Sequence, residues 1–303
     1  MRLEKVAVIG LGSMGYGMAG ALARAGLAVA GCDTRAEVVS RFKGEYGDAA
    51  TTPAEAAQGA DAVVSVVVNA DQTETVLFGP EGASRTLKPG GVLVSCATMA
   101  PERARSLARN AGELGFLYVD APMSGGAARA AEGALTVLAS GSPAAMEAAG
   151  PVLDAIAAKV YRLGDEPGIG AAFKMVNQLL AGVHIAAASE AIVFAKRLGL
   201  DIAKVYEVIT ASAGNSWMFE NRIPHVLDGD YSPRSAVEIF TKDLGIISDM
   251  SRGQVFPTPI AAAALQTFLM TAAAGMGKDD DASVARLYAQ IAGLDLPEAK
   301  PVS

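Results

Sequence analysis

A glycine-patterned turn near the start of the chain, Gly10-Leu11-Gly12-Ser13-Met14-Gly15, constrains the fold more than any other stretch. It follows the apolar run 6–9 and opens an amphipathic segment that continues through Gly17 and Gly20. The pattern reads as strand, tight turn and helix. Gly10 lets the chain reverse at the strand end, Gly12 carries no side chain to block a pyrophosphate, and Gly15 lets the helix pack close to the strand. The amides at the helix start then face an anion. A second apolar run, 27–32, ends in Asp33, which completes the pattern of a dinucleotide site.

That carboxylate bears on which dinucleotide is bound. At the end of a second strand it accepts both hydroxyls of an adenosine ribose and repels a 2′-phosphate, so NAD is expected over NADP. Arg35, two residues on, is the opposing signal, because an arginine there can hold a phosphate.

The chain has 303 residues, 51% of them hydrophobic, enough to fill a core in each of two domains. Its net charge of −7 has no long run of one sign, and no basic patch suggests nucleic acid. Arg2 and Lys5 before an apolar stretch resemble a secretion signal, but the glycines from Gly10 to Gly20 and the continuing strand pattern argue against one. The longest apolar run, 62–68 with Ser65 inside it, is far below the ~18 residues of a membrane span. A cytoplasmic protein with no membrane partner is the expectation. Cys32 and Cys96 each fall in an expected buried strand, and with only His184 and His225 as histidines no metal site is expected.

Further apolar runs at 62–68, 91–96, 116–119 and 135–139 alternate with helical segments such as 101–114. Alternation of this kind predicts a doubly wound, mostly parallel α/β sheet covered on both faces. Pro53 reads as a helix start with Thr51 or Thr52 as its cap. The alternation stops near Gly164, which divides a dinucleotide-binding domain, 1–164, from an all-α domain, 165–303. Apolar residues recur at helical spacing without proline from about 169 to 198, predicting a joining helix roughly 45 Å long. More helices are expected at 202–211, 218–227, 237–251, 259–274 and 282–291.

Lys174 lies in the first turns of the long helix, with Asn177 and Gln178 on the same face. The helix dipole, the apolar neighbours Phe173, Met175 and Val176, and a bound oxidised nicotinamide all push a lysine's pKa down. A general base that takes a hydroxyl proton needs that shift. The segment Asp120-Ala-Pro-Met-Ser124-Gly125-Gly126 offers a hydroxyl and two bare amides able to cradle a carboxylate, although the same residues also make an ordinary strand-to-loop turn. Lys242-Asp243 offers a cation that can reach back to a cofactor, but such a pair alone reads as a solvated face. His225 reads as a helix-end residue.

Together these blocks resemble the β-hydroxyacid dehydrogenase family, which includes 3-hydroxyisobutyrate, tartronate semialdehyde and 6-phosphogluconate enzymes. They are residues 10–15, 120–126, 168–178 and 242–245, and the resemblance spans essentially the whole chain. Residues 178–185, 213–222 and 230–237 resemble the L-threonate dehydrogenase branch. The resemblance implies a Rossmann domain and Lys174 as the catalytic lysine. It implies that Ser124, Gly125 and Gly126 hold the substrate carboxylate with help from Asn177. Cofactor contacts are implied from residues 10–15, namely Gly10, Leu11, Gly12, Ser13, Met14 and Gly15, and from Asp33, Val67, Val68, Gln72, Thr98 and Lys242. Many members carry asparagine at the position of Gln178 and leucine-proline at Val67-Val68, and NADP-preferring members carry asparagine-arginine at Asp33-Thr34.

The resulting expectation is an NAD-dependent dehydrogenase that oxidises a small hydroxy acid, L-threonate, to the 2-keto acid, and assembles as a homodimer or homotetramer. Its rivals are a reductase of small semialdehydes such as tartronate semialdehyde or glyoxylate, a 3-hydroxyisobutyrate dehydrogenase, and a dinucleotide-binding interaction module without catalysis.

Overall fold

The computed structural model describes residues 3–298. It divides into two compact units, Met1–Met175 and Val176–Ser303. In the first, strands β1 (Lys5–Ile9), β2 (Ala28–Cys32), β3 (Ala49–Ala50), β4 (Ala62–Ser65), β5 (Val92–Ser95) and β6 (Leu117–Asp120) run parallel in the order β3-β2-β1-β4-β5-β6. Helices α1 (Gly15–Arg24), α2 (Ala36–Tyr46), α3 (Pro53–Ala57), α4 (Ala70–Phe78) and α5 (Pro101–Glu113) connect them. The chain winds outward from β1 through β2 to β3 and then returns to β4. That reversal opens a crevice at the carboxyl ends of the strands, where α/β sheets bind ligands.

The two-residue alternation of strand side chains supplies both faces. Val6, Val8, Val64, Val94 and Val119 enter one core, with Met18 and Leu22 of α1. Ala7, Ile9, Val63, Leu93 and Tyr118 enter the other, with Leu77 of α4 and Leu107 of α5. Runs of β-branched residues with no polar face are what a sheet buried on both sides requires. Thr52 caps α3, its hydroxyl accepting from the Glu55 amide while the Glu55 carboxylate accepts from the Thr52 amide.

Beyond β6 the sheet departs from the strand-helix alternation. After β6 come β7 (Met123–Ser124), α6 (Gly126–Glu132), β8 (Leu135–Ser140), α7 (Pro143–Ile156) and β9 (Ala157–Gly164). β8 pairs antiparallel with β6 at Asp120 and Ser140 and with β7, and β9 pairs parallel with β8. Run patterns are blind to strand direction, and the two-residue β7 and the largely exposed β9 carry too little apolar signal to be read. The apolar run 62–68 also overshoots its strand, since β4 stops at Ser65.

The long helix is α8 (Ile169–Arg197), about 43 Å at 1.5 Å per residue. The second unit adds α9 (Ile202–Thr210), α10 (Trp217–Asp228), α11 (Val237–Gly253), α12 (Pro259–Thr271) and α13 (Val284–Ala292). Its core gathers Ile192 and Val193, Phe219, Ile223 and Val226, and Ala285 and Ala289. Asp201 and Ser216 cap α9 and α10. By length and composition Ile169–Arg197 and Pro259–Met276 are apolar enough to cross a membrane, which a count of uninterrupted apolar runs did not anticipate. Half of the first helix's apolar window is buried in the fold, and a core helix passes the same test.

Candidate active site

In the first unit the register places Cys32, Ile9, Ser65, Ser95 and Asp120 in one row across the sheet. The segments that follow these residues therefore leave from the same edge. They carry Asp33, the glycine turn 10–15, Val67 to Gln72, Thr98, and Ser124 to Gly126.

The glycine turn fits a dinucleotide phosphate. A β-carbon on Gly15 would stand 1.8 Å from the Gly10 carbonyl oxygen, so only glycine lets α1 start so close to β1. A β-carbon on Gly12 would meet no atom of the described residues within 4 Å, so that backbone faces open space. Among the described residues no side chain caps α1, and its first turn holds no acidic residue, which leaves the amides for an anion. Leu11 is buried, Ser13 exposed and Met14 half-buried.

Asp33 follows β2, and its Oδ2 accepts from the Leu11 amide at 2.8 Å. Arg35 grips the same carboxylate, Nε to Oδ1 at 2.9 Å and Nη2 to Oδ2 at 3.1 Å. Burial draws the Asp33 pKa upward, but the hydrogen bonds from Arg35 and Leu11 outweigh it and hold the carboxyl below its ordinary value. Arg35 is thus committed to Asp33.

After β4, the Gln72 carboxamide oxygen accepts from the Val68 amide at 2.9 Å, while Asn69 caps α4 by accepting from the Gln72 amide at 2.8 Å. Gln72 therefore fastens the loop that carries the partly buried Val67 and the exposed Val68. Thr98 is partly buried three residues past β5. β7 prolongs the line of β6 and carries Ser124, followed by Gly125 at φ 139° and Gly126 at φ 79°.

Asp120 does more than its place at the head of the 120–126 segment suggests. It is fully buried, and its Oδ2 accepts from the amides of Ala171 at 2.8 Å and Gly168 at 3.0 Å. Ser140 Oγ accepts from the Gly170 amide at 2.9 Å. Two side chains from β6 and β8 thus bind the start of α8. A β-carbon on Gly170 would stand 2.3 Å from the Leu138 carbonyl oxygen, so glycine there permits the close seating. Burial lifts the Asp120 carboxyl to about 6 against the lowering effect of these hydrogen bonds. Its Oδ1, among the described residues, finds no hydrogen-bond partner. A charged residue closing the apolar run 116–119 was the available sign of this role.

Lys174 follows Ala171 by one helical turn and is only 7% exposed. Of the apolar neighbours expected to bury it, Met175 is 3% exposed, whereas Phe173 and Val176 are 51% and 63% exposed, because nearby residues on a helix point to different faces.

In the second unit, Asn177 Nδ2 donates to Gln178 Oε1 at 2.9 Å, and Gln178 Nε2 donates to Asp243 Oδ2 at 2.5 Å. Lys242 Nζ pairs with Asp243 Oδ1 at 2.6 Å. The Lys242-Asp243 pair is not the solvated face that it looks like in the sequence, since Asp243 is fully buried. His225 lies in the last turn of α10, held by Asp280 at Nδ1 and Arg234 at Nε2, and belongs to a separate structural network. Among the described residues no group of three His, Cys, Asp or Glu could hold a metal.

Known proteins match both units. Residues 5–164 match the family described as the NAD binding domain of 6-phosphogluconate dehydrogenase, and 168–288 match the one described as NAD-binding of NADP-dependent 3-hydroxyisobutyrate dehydrogenase. An L-threonate dehydrogenase of Cupriavidus necator is 51% identical over 97% of this chain and 98% of its own, and one of Escherichia coli K12 is 46% identical over 97% of each. The crystal structure of a 3-hydroxyisobutyrate dehydrogenase from Salmonella typhimurium, 46% identical, superposes with a TM-score of 0.89 over 94% of this chain and 99% of its own. The chain therefore belongs to the β-hydroxyacid dehydrogenases of the 3-hydroxyisobutyrate dehydrogenase type, oxidoreductases built on an NAD(P)-binding domain.

Proposed function

We propose that this protein is an NAD-dependent L-threonate dehydrogenase that oxidises C2 of the acid to the 2-keto acid. The observation that carries the reading is the 51% identity to the Cupriavidus necator L-threonate dehydrogenase over nearly the full length of both chains. A bound nicotinamide dinucleotide would supply the hydride acceptor. Gly10 to Gly15 receive the pyrophosphate and Asp33 the adenosine ribose, with Val67, Val68, Gln72, Thr98 and Lys242 as further cofactor contacts. Ser124, Gly125 and Gly126 hold the substrate carboxylate, aided by Asn177. Lys174 takes the hydroxyl proton, and the Asp120–Ser140 anchor of its helix fixes where that amine stands.

NAD over NADP follows from the Asp33 carboxylate, kept charged by Arg35 and the Leu11 amide. Arg35 gives Nε and Nη2 to that carboxylate, which weighs against its serving as a clamp for a 2′-phosphate. The same reading takes it as a cytoplasmic homodimer or homotetramer.

The test is NADH formation with L-threonate, D-threonate, D-erythronate, 3-hydroxyisobutyrate and D-glycerate, repeated with NADP. A preference for L-threonate and NAD is expected, and turnover of 3-hydroxyisobutyrate alone would overturn the substrate. That second substrate is favoured by the Salmonella typhimurium structure, whose protein is described as a 3-hydroxyisobutyrate dehydrogenase.

A further inference from the structure

The Asp33 carboxylate has no acceptor place left. An ionised carboxylate offers about four such places, two on each oxygen. Oδ1 accepts from the Arg35 amide at 3.0 Å and from Arg35 Nε at 2.9 Å, while Oδ2 accepts from the Leu11 amide at 2.8 Å and from Arg35 Nη2 at 3.1 Å. Nη2 also donates to the Leu11 carbonyl at 3.2 Å, so the guanidinium bridges the carboxylate and the glycine turn. The Asp33 side chain is 9% exposed, whereas that of Arg35 is 50% exposed.

These bonds differ in how readily they yield. The two amides belong to fixed main chain: Leu11 joins β1 to α1, and the Arg35 carbonyl accepts from the Val38 and Val39 amides at the start of α2. The guanidinium ends a long, half-exposed side chain and can turn into water. An adenosine ribose brings two hydroxyls, each with a single hydrogen to donate. It needs two acceptor places on Asp33, and the guanidinium fills two. The diol therefore replaces Arg35 on the carboxylate instead of adding to it.

We propose that Arg35 is an internal competitor for the ribose site, its guanidinium holding on Asp33 the two acceptor places that the 2′ and 3′ hydroxyls of NAD take when the cofactor binds. This inference rests on the reading of Asp33 as the residue that receives the adenosine ribose. Arg35 thereby sets how tightly NAD is held, through the strength of its own grip on Asp33.

The experiment titrates the full-length protein with NADH and with NADPH, followed by nicotinamide fluorescence, in the wild type, Arg35→Leu, Asp33→Asn and the double variant. Leucine keeps part of the aliphatic stem and donates no hydrogen bond. Arg35→Leu should bind NADH about three- to fivefold more tightly, the range of a half-exposed ion pair that no longer has to be broken. NADPH should gain nothing, because a 2′-phosphate has no hydroxyl to give to the freed place. Asp33→Asn should bind NADH more weakly, and adding Arg35→Leu to it should bring no gain, since the carboxylate for which guanidinium and ribose compete is gone. Unchanged or weaker NADH binding in Arg35→Leu would overturn the proposal. An equal gain for NADPH would overturn it too, by showing only a wider entrance. If Asp33→Asn leaves NADH affinity unchanged, the ribose reading of Asp33 falls and the proposal with it. If Asp33→Asn weakens NADH binding while Arg35→Leu does not tighten it, the role of Arg35 alone falls. Thermal melting reports folding, and Arg35→Ala, measured alongside with the same expected gain, keeps the test from depending on one variant.

Discussion

Lys174 and Asp120 show how much a single side chain depends on groups far away in sequence. Lys174 is proposed as a base from its place in the long helix, and of its apolar neighbours Phe173, Met175 and Val176 only Met175 is buried. Lys174→Ala should lower kcat by about 10²–10⁴, the range of a general base, while NADH affinity measured by fluorescence titration stays within about threefold. Normal turnover in that variant would refute the proton-transfer role. Asp120 carries a pH signature of its own. Its folded pKa of about 6 lies above the ordinary 3.8, so the native state holds this proton more tightly than the unfolded chain. The stability it contributes is full below about pH 4 and lost as pH rises through about 6, roughly 3 kcal/mol at most. Asp120→Asn keeps one oxygen to accept from Gly168 and Ala171 and removes the titration. The melting temperature of the wild type minus that of Asp120→Asn should therefore fall as pH goes from 4.5 to 6.5. A constant difference would show that the carboxyl does not titrate there.

Elements with a strong period were legible, and those without one were not. The glycine turn, α1, β1, β2 and β5 could be placed because alternating valines and spaced glycines leave few other structures open. β9 escaped because an edge strand with exposed Lys159, Tyr161 and Arg162 shows no buried stripe. The glycines of the turn look alike in the sequence and differ in space, which gives a paired prediction. Gly15→Ala puts a methyl where only 1.8 Å separates it from the Gly10 carbonyl oxygen, so α1 must shift and the fold should lose several degrees of melting temperature even without cofactor. Gly12→Ala meets open space, so the apoprotein should melt near the wild type, while NAD affinity falls at least tenfold. Calorimetry of both variants with and without NAD checks the contrast. Equal destabilisation of the two apoproteins would contradict the assignment of Gly12 to the phosphate.

At the scale of the whole molecule, the order of an α/β part and a helical part was readable, whereas hydrogen bonds between residues far apart in the chain were not. The amide of Ala171 reaches Asp120 across 51 positions and Gln178 reaches Asp243 across 65, distances over which one sequence carries no pairing signal. The Lys242-Asp243 pair looked solvent-facing for the same reason. The proposed subunit association is a matter that local patterns reach only in part. On α8, Phe173, Leu180, Ala187 and Phe194 recur every seven residues and are all exposed, Phe194 at 61%. Residues seven apart fall close to one line along a helix, and exposed apolar side chains gathered on one face can serve as an interaction surface. The partner proposed is a second copy of the chain, so light scattering should give a mass at least twice that of one chain. Phe194→Glu places a charge in the seam. Because the side chain is already mostly exposed within one chain, the substitution should cost the subunit little, but it should raise the dissociation constant at least tenfold. A wild-type mass of one chain would dismiss self-association, and an unchanged mass for Phe194→Glu under dilution would move the contact to another face.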